Sequence, residues 1–359
     1  MKTLLFNLTL AAVLASLSGA SGASPVIGTY NGLFFETNGF WQRSAGTLTL
    51  TAARNRYTAK IQIGSTRYSF SGTFDASGGI NRQVLRRYEN PLSVQLQVDA
   101  TDPDLLVGSI GDDINWTASL YADRAVFDGR SSTTSDMGRY TVVFQGDFAS
   151  TNTDIPPMGE SFGTLNITKA GRIRFSGSLA DGTKVTQATT VAKGGQWPLY
   201  LPLYQSEGAF YAWLLFNGTN DNDISGTATW IRPQMSWAWY YPDGFAVLQD
   251  AYGSRYTAPP KGTKLLDVST ARFELNGMNL DRGITNHVLL DYRNRITNLE
   301  ANGLTSTFTL ADGSFRGRVM DPVSWEWITF KGVVLQKFGV AAGYFPRGHQ
   351  TGEVWFQGE

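Results

Sequence analysis

Short stretches in which apolar and polar residues alternate run along most of the chain. Residues 47–51 alternate Thr with Leu, residues 57–63 alternate in the same way, and residues 67–74 follow after another short turn. Side chains of a β-strand point alternately to its two faces, so each stretch predicts a strand with one buried face. The short polar turns between them predict an antiparallel meander, which residues 92–98 and 116–120 continue.

Two phrases of this pattern occur twice. Residues 28–34 match residues 138–144 at an offset of 110, and residues 46–51 match residues 163–168 at an offset of 117. A looser third copy begins at Thr307. Self-similarity on this scale indicates a repeated structural unit. We therefore predict an all-β fold of two related antiparallel meander units, barrel- or sandwich-like, of which the second is enlarged.

The boundary between the two units is predicted at residues 129–137, which lack apolar alternation and precede the second copy of the first phrase. The predicted division is a signal peptide at 1–23, a first β-meander domain at 24–133 and a second, larger β domain at 134–359. This second unit is long for one meander. It is interpreted either as a larger barrel or sandwich, or as a fused pair.

The first 23 residues have the layout of a secretory signal peptide. A positive start at Lys2 precedes an apolar run over residues 4–17, and small residues offer cleavage after Ala20 or Ala23. No later stretch is apolar enough for a membrane-spanning helix. The protein is therefore predicted to be secreted, with an extracellular, cell-surface or periplasmic location.

Composition excludes several functional classes. The 30 basic and 30 acidic residues balance, and the basic ones are scattered rather than gathered, unlike those of a nucleic-acid-binding protein. The chain has no cysteine and only two histidines, which excludes thiolate zinc sites and leaves little for a histidine-based one. We predict no cofactor and no metal. The oxygen-rich residues 217–223 are interpreted as a hairpin turn, with calcium binding as the alternative.

The most distinctive residues are aromatic. In an extended segment, Trp237, Trp239 and Tyr241 would share one face, and Trp325 and Trp327 repeat the same spacing. A flat row of rings suits sugar rings, whose C–H faces stack on aromatic side chains. The same rings also suit a barrel interior or the seam between two units, because aromatics dominate cores. Both interpretations stay open at this point, and the five residues are the candidate ligand-binding set.

Two prolines restrict the structure that another segment can adopt. Residues 197–204 carry Pro198 and Pro202 within an otherwise apolar and aromatic run. Proline cannot donate to a strand ladder, so the segment is not a central strand. It is predicted to be an edge strand or a connector.

Three segments, residues 68–75, 196–204 and 330–337, are similar to sequences of a known group of proteins. They resemble β-rich C-terminal modules of large exported bacterial surface proteins, a group without an assigned activity. The resemblance covers nearly the whole chain after the signal peptide. It implies a β-rich fold and an exported location, and it brings no catalytic residue.

These observations predict a secreted, non-enzymatic extracellular or surface module that binds carbohydrate or protein through aromatic loops of its second unit. One alternative is an extracellular polysaccharide-degrading hydrolase or lyase, which needs paired carboxylates or a Tyr or His base beside Arg in one cleft. His287, near Arg282, Arg293 and Arg295, is the local cluster of that kind. The other alternative is an outer-membrane β-barrel. Polysaccharides and surface proteins are the predicted partners.

Overall fold

The computed structural model describes residues 25–39, 41–146, 156–219, 222–277 and 280–359. These residues form three eight-stranded antiparallel sheets, which confirms the predicted all-β, barrel-like fold. The predicted signal peptide at 1–23 lies outside the described residues. Within the described ranges, none of the helices has the length and apolar character needed to cross a membrane.

The strands follow one another in chain order. The first sheet contains β1 (Gly28–Phe35), β2 (Gly46–Ala53), β3 (Arg56–Ile63), β4 (Thr66–Thr73), β5 (Gly79–Arg86), β6 (Glu89–Val98), β7 (Leu105–Gly111) and β8 (Thr117–Arg124). The second contains β9 (Gly138–Phe144), β10 (Ser161–Ile167), β11 (Arg172–Ser178), β12 (Lys184–Thr190), β13 (Gln196–Leu203), β14 (Gly208–Phe216), β15 (Ile224–Arg232) and β16 (Phe245–Tyr256). The third contains β17 (Thr270–Asn276), β18 (Ile284–Leu290), β19 (Ile296–Asn298), β20 (Thr305–Thr309), β21 (Ser314–Met320), β22 (Trp327–Leu335), β23 (Val340–Arg347) and β24 (Gln350–Gly358).

The three sheets have closely similar topologies, which differ in where the ladder opens. Consecutive strands pair antiparallel, and the first strand of each sheet also pairs with its eighth. In the first two sheets the ladder is interrupted between the fourth and fifth strands. In the third sheet it is interrupted between the third and fourth strands, β19 and β20, where an isolated bridge between Arg295 and Thr307 spans the gap. Each sheet therefore curls into a nearly closed barrel, which leaves few exposed strand edges. We call them the first, second and third barrels.

Alternation along the strands places the core inside each barrel. On β2, Leu48 and Leu50 are fully buried, whereas Thr49 and Thr51 face solvent. Each barrel has its own cluster of buried apolar side chains, and the largest rings, such as Trp197 and Trp230, lie in the second. The spacing that predicted strands 47–51 and 57–63 thus corresponds to inward-facing side chains of β2 and β3.

The enlarged second unit, residues 134–359, contains two barrels, so it is a fused pair rather than one larger barrel. The two repeated phrases occupy equivalent places, because β1 and β9 are first strands and β2 and β10 are second strands. The third phrase, at Thr307, lies instead on β20, a fourth strand. It therefore does not mark the start of the third barrel, which begins at Thr270.

The first and second barrels pack through an apolar cluster that includes Leu33 and Tyr211. The Tyr200 hydroxyl accepts a hydrogen bond from the Gly64 amide at 2.7 Å and donates to the Ala45 carbonyl at 3.2 Å. Tyr200 belongs to β13, the edge strand of the second sheet, as the prolines predicted. The first barrel thus packs against a strand at the edge of the sheet.

The second and third barrels join through β9 and β10 on one side and β22 and β23 on the other. Val143, Val333 and Leu335 form the apolar part of this junction. The Thr141 hydroxyl donates to the Val334 carbonyl at 2.6 Å, in full burial. Loops from both barrels meet at one end of this junction, where the candidate site lies.

Candidate functional site

Residues 233–244, which connect β15 to β16, form a folded loop that we call the tryptophan loop. Pro233 follows β15 directly, and Gly244, with φ of +74°, precedes β16. Tyr241 also adopts a positive φ, of 49°. The extended conformation that would align Trp237, Trp239 and Tyr241 on one face therefore does not occur, because proline and left-handed residues turn the chain.

The loop exposes two of its three candidate rings and buries the third. Trp237 is 78% exposed and Trp239 is 64% exposed, so neither fills a barrel core. Tyr241 is only 7% exposed, which corrects its place in the predicted row. Its hydroxyl lies 2.7 Å from the Thr351 hydroxyl and accepts the Thr351 amide, so the ring joins the second barrel to the third. Burial raises the pKa of Tyr241 to about 12.

A buried guanidinium holds the tryptophan loop in place. Arg232, the last residue of β15, forms an ion pair with the buried Asp181 carboxylate. Its other nitrogens donate to the carbonyls of Tyr240 at 2.6 Å and Tyr241 at 3.2 Å. The Tyr204 hydroxyl donates to Asp181 at 2.6 Å. Sequence reasoning missed this pair, since its two members lie 51 positions apart and no local motif marks them.

Trp239 is fixed by the hairpin between β23 and β24. Its ring lies against the His349 ring with centroids 4.5 Å apart, and its indole N–H donates to the Gly348 carbonyl at 2.8 Å. The His349 Nδ1 lies 2.7 Å from the Trp239 carbonyl. A single ring conformation is thereby stabilised although most of the indole faces solvent.

Trp325 belongs to the turn between β21 and β22, which contacts the same hairpin through Arg347. It is 75% exposed and has a positive φ of 62°. The Asp321 carboxylate shapes this turn by accepting the Val323 amide at 2.9 Å, and it pairs with Arg347 at 2.5 Å. Arg347 ends β23, two residues before His349. Trp239 and Trp325 are thus both held by residues of one hairpin.

Trp327 occupies a different environment. It is 47% exposed, but the Arg318 guanidinium lies over its ring at 4.5 Å from the centroid. A side chain at Gly303 would approach the far edge of the indole, at 2.8 Å. Trp327 therefore orients Arg318 more than it offers a free face. We use the name indole surface for Trp237, Trp239 and Trp325.

The groups considered for an enzyme do not converge with the indole surface. His287 lies between two carboxylates, with Nδ1 2.7 Å from Glu300 and Nε2 3.3 Å from Glu359, and the hydrogen bond to Glu300 raises its pKa. Arg295 pairs instead with Asp291. This arrangement is a surface ion-pair cluster on the third barrel.

Two carboxyl groups do approach each other at the junction of the second and third barrels. Glu160 is fully buried there, and burial raises its pKa well above its usual range, with Glu353 adding to the shift. Burial likewise raises the pKa of Glu353. Glu160 is enclosed by packed β-strands, and Glu353 is partly buried.

Within the described ranges, no group of three or more His, Cys, Asp and Glu side chains is arranged to hold a metal ion. Residues 220 and 221 of the calcium alternative lie outside those ranges. The neighbouring Asp223 accepts the Arg255 amide at 2.7 Å and pairs with Lys337 at 2.6 Å. Its oxygens thus serve the turn and the contact with the third barrel.

Comparison with known proteins finds no matching family model and no matching curated protein. Among solved structures, intact Ap-TbpB (N and C lobes) is 10% identical with a TM-score of 0.22, covering 94% of this chain and 78% of that one. The Transferrin Binding Protein B double mutant from Haemophilus parasuis Hp5 is 9% identical with a TM-score of 0.22, covering 95% and 77%. Superpositions this loose transfer neither a partner nor a function.

Proposed function

We propose that this chain is an exported, extracellular carbohydrate-binding module whose ligand stacks on the indole surface. The observation that carries the proposal is the exposure of Trp237, Trp239 and Trp325, at 78%, 64% and 75%, on loops that buried polar contacts hold in place. Large exposed apolar side chains grouped on one surface mark an interaction site. The Trp239 ring, which His349 and Gly348 already hold, loses little conformational entropy when a ligand binds.

A sugar suits this surface because polar side chains separate the rings. Gln234, Ser236 and Asp243 are exposed within the same loop as Trp237 and Trp239. A sugar presents C–H faces to the rings and hydroxyl groups to such neighbours, whereas the core of a protein interface is continuous and depleted in charge. A protein partner is therefore the less favoured occupant and an outcome of the test.

The test is a glycan-array screen of the secreted form, residues 24–359, beside the variant W237A/W239A. Saturable binding by the native chain that the variant loses, with an unchanged melting temperature, supports the proposal. The matched control is W41A, which removes an indole that is 53% exposed on the first barrel. Equal binding by all three proteins would show that the ligand binds outside the indole surface and would overturn the proposal. Silence of the native chain across the array would overturn the carbohydrate assignment and favour a protein partner.

A further inference from the structure

An open groove of about 530 Å³ runs along the outer face of the third barrel, over β20, β21 and β22. Its volume lies within the range of small-molecule sites, roughly 300–1,000 Å³. Arg316, Arg318 and Lys331 line it, and none of its lining residues is acidic. The groove begins beside Trp327 and reaches the junction with the second barrel.

The ladder places these cations side by side. On the outer face, Arg316 stands directly opposite Lys331, and Arg318 stands opposite Thr329. Like charges directly opposite each other on a sheet destabilise it. Within the described ranges, none of the three cations forms an ion pair that would offset this repulsion. Such a costly arrangement is typical of a binding site.

Two of the cations are held in position. Arg318 lies over the Trp327 ring at 4.5 Å, which leaves the edge of its planar guanidinium for a ligand. Lys331 donates to the Ser178 hydroxyl of the second barrel at 2.9 Å and lies 4.9 Å from the centroid of the Tyr344 ring. Burial lowers the pKa of Lys331. An anion bound beside this amine would favour its protonated, charged form.

Hydroxyl groups complete the groove. Thr305 and Thr307 on β20 stand opposite Arg318 and Arg316, and Thr329 lies beyond Arg318 on β22. All three threonines are exposed. Threonine hydroxyls donate and accept, as sugar hydroxyls do. Guanidinium groups prefer planar or tetrahedral oxyanions, to which they bind in bidentate fashion.

We propose that this groove binds an acidic glycan, with Arg316, Arg318 and Lys331 contacting its carboxylate or sulfate groups and the threonines its hydroxyls. The proposal rests on the proposed function for the sugar and adds selectivity for charge. Neutral sugar units are assigned to the indole surface, and anionic units are assigned to the groove.

The test is calorimetric titration of the secreted form with a uronate tetrasaccharide, a sulfated tetrasaccharide and a neutral one. R316Q/R318Q is expected to raise the Kd for at least one anionic ligand about tenfold or more and to leave neutral binding unchanged. The control R56Q/R82Q removes two exposed arginines from the first barrel, so it makes the same change in net charge. Native affinity for the anionic ligand is also expected to fall with added salt.

The outcomes separate this proposal from the proposed function. One outcome would overturn the groove proposal alone: W237A/W239A loses binding of the neutral tetrasaccharide, while R316Q/R318Q binds the anionic tetrasaccharides as the native protein does. Anionic binding that R316Q/R318Q loses, with no neutral binding by the native chain, would support the groove and overturn the neutral platform. A polyglutamate peptide or inorganic sulfate that binds as tightly as the tetrasaccharide would overturn the assignment of a glycan as the ligand.

A second measurement does not depend on any ligand. Because Arg316 opposes Lys331, R316Q is expected to leave the melting temperature of the third barrel unchanged or to raise it. A marked fall in that temperature would show that Arg316 serves the fold and would overturn its assignment to a ligand.

Discussion

Replacing Arg232 by methionine tests whether one buried guanidinium holds the tryptophan loop. The change removes the ion pair with Asp181 and the two hydrogen bonds to the carbonyls of Tyr240 and Tyr241. It leaves a fully buried carboxylate with the Tyr204 hydroxyl as its remaining side-chain donor. Removing one member of a buried pair costs about 3–5 kcal/mol.

The expected loss can be measured as a shift in unfolding temperature. At about 4 °C per kcal/mol for a barrel of this size, the second barrel should unfold roughly 12–20 °C lower in R232M. Scanning calorimetry resolves that transition from those of the other barrels if they unfold separately, and urea unfolding gives the free energy. Binding at the indole surface should weaken as well, since the loop loses its anchor.

The control for R232M is R174M, which removes an exposed arginine from β11 and should change stability by less than about 0.5 kcal/mol. A double-mutant cycle with D181N isolates the coupling between the two side chains. An R232M protein that unfolds within about 1 kcal/mol of the native one would refute the reasoning. So would intact ligand binding in a variant whose loop has become mobile by amide exchange.

Two further predictions concern the junctions between barrels. The raised pKa of Glu160 means that the folded state binds this proton more tightly than the unfolded state does. The free energy of unfolding should therefore fall as the pH rises above about 5. E160Q should remove much of that fall, as measured by urea unfolding between about pH 5 and pH 8. A native protein whose stability follows that of E160Q across this range would contradict it. Y200F should cost about 1–3 kcal/mol, because the buried Gly64 amide loses its acceptor, whereas Y121F, whose hydroxyl makes no hydrogen bond in the described ranges, should cost little. Chemical unfolding of the two variants side by side decides this point.

Strand positions could be predicted from the sequence because alternation is local. Within residues 47–63, the inward-facing side chains of β2 and β3 follow from an apolar period of two. The sequence does not mark where the third barrel begins, because its first strand starts Thr270-Ala271-Arg272-Phe273, without the Gly-x-Tyr segment that begins β1 and β9. The prolines of β13 did predict an edge, since a missing N–H has the same consequence in any sheet.

The site could be predicted only in part. The sequence singled out Trp237, Trp239 and Trp325, and all three are exposed, while their role in binding a ligand stays a prediction. It misplaced Tyr241, since the prediction assumed an extended segment and Tyr241 instead adopts a positive φ. The groups that fix the rings, such as Arg232 and His349, come from other strands and hairpins. Such contacts depend on how whole barrels pack, which no spacing along the chain expresses.

The pairing of first and last strands has a mechanical consequence. In the first barrel the start of β1 lies beside the end of β8, with Tyr30 opposite Arg124, and in the third Ala271 lies opposite Gly358. A pulling force on the two ends of a barrel therefore acts along the hydrogen bonds of this ladder and breaks them pair by pair, as in a zipper. Each barrel should open at low force and extend in its own step. An array of such units attached to a surface would lengthen under flow rather than transmit the full load to its ligand.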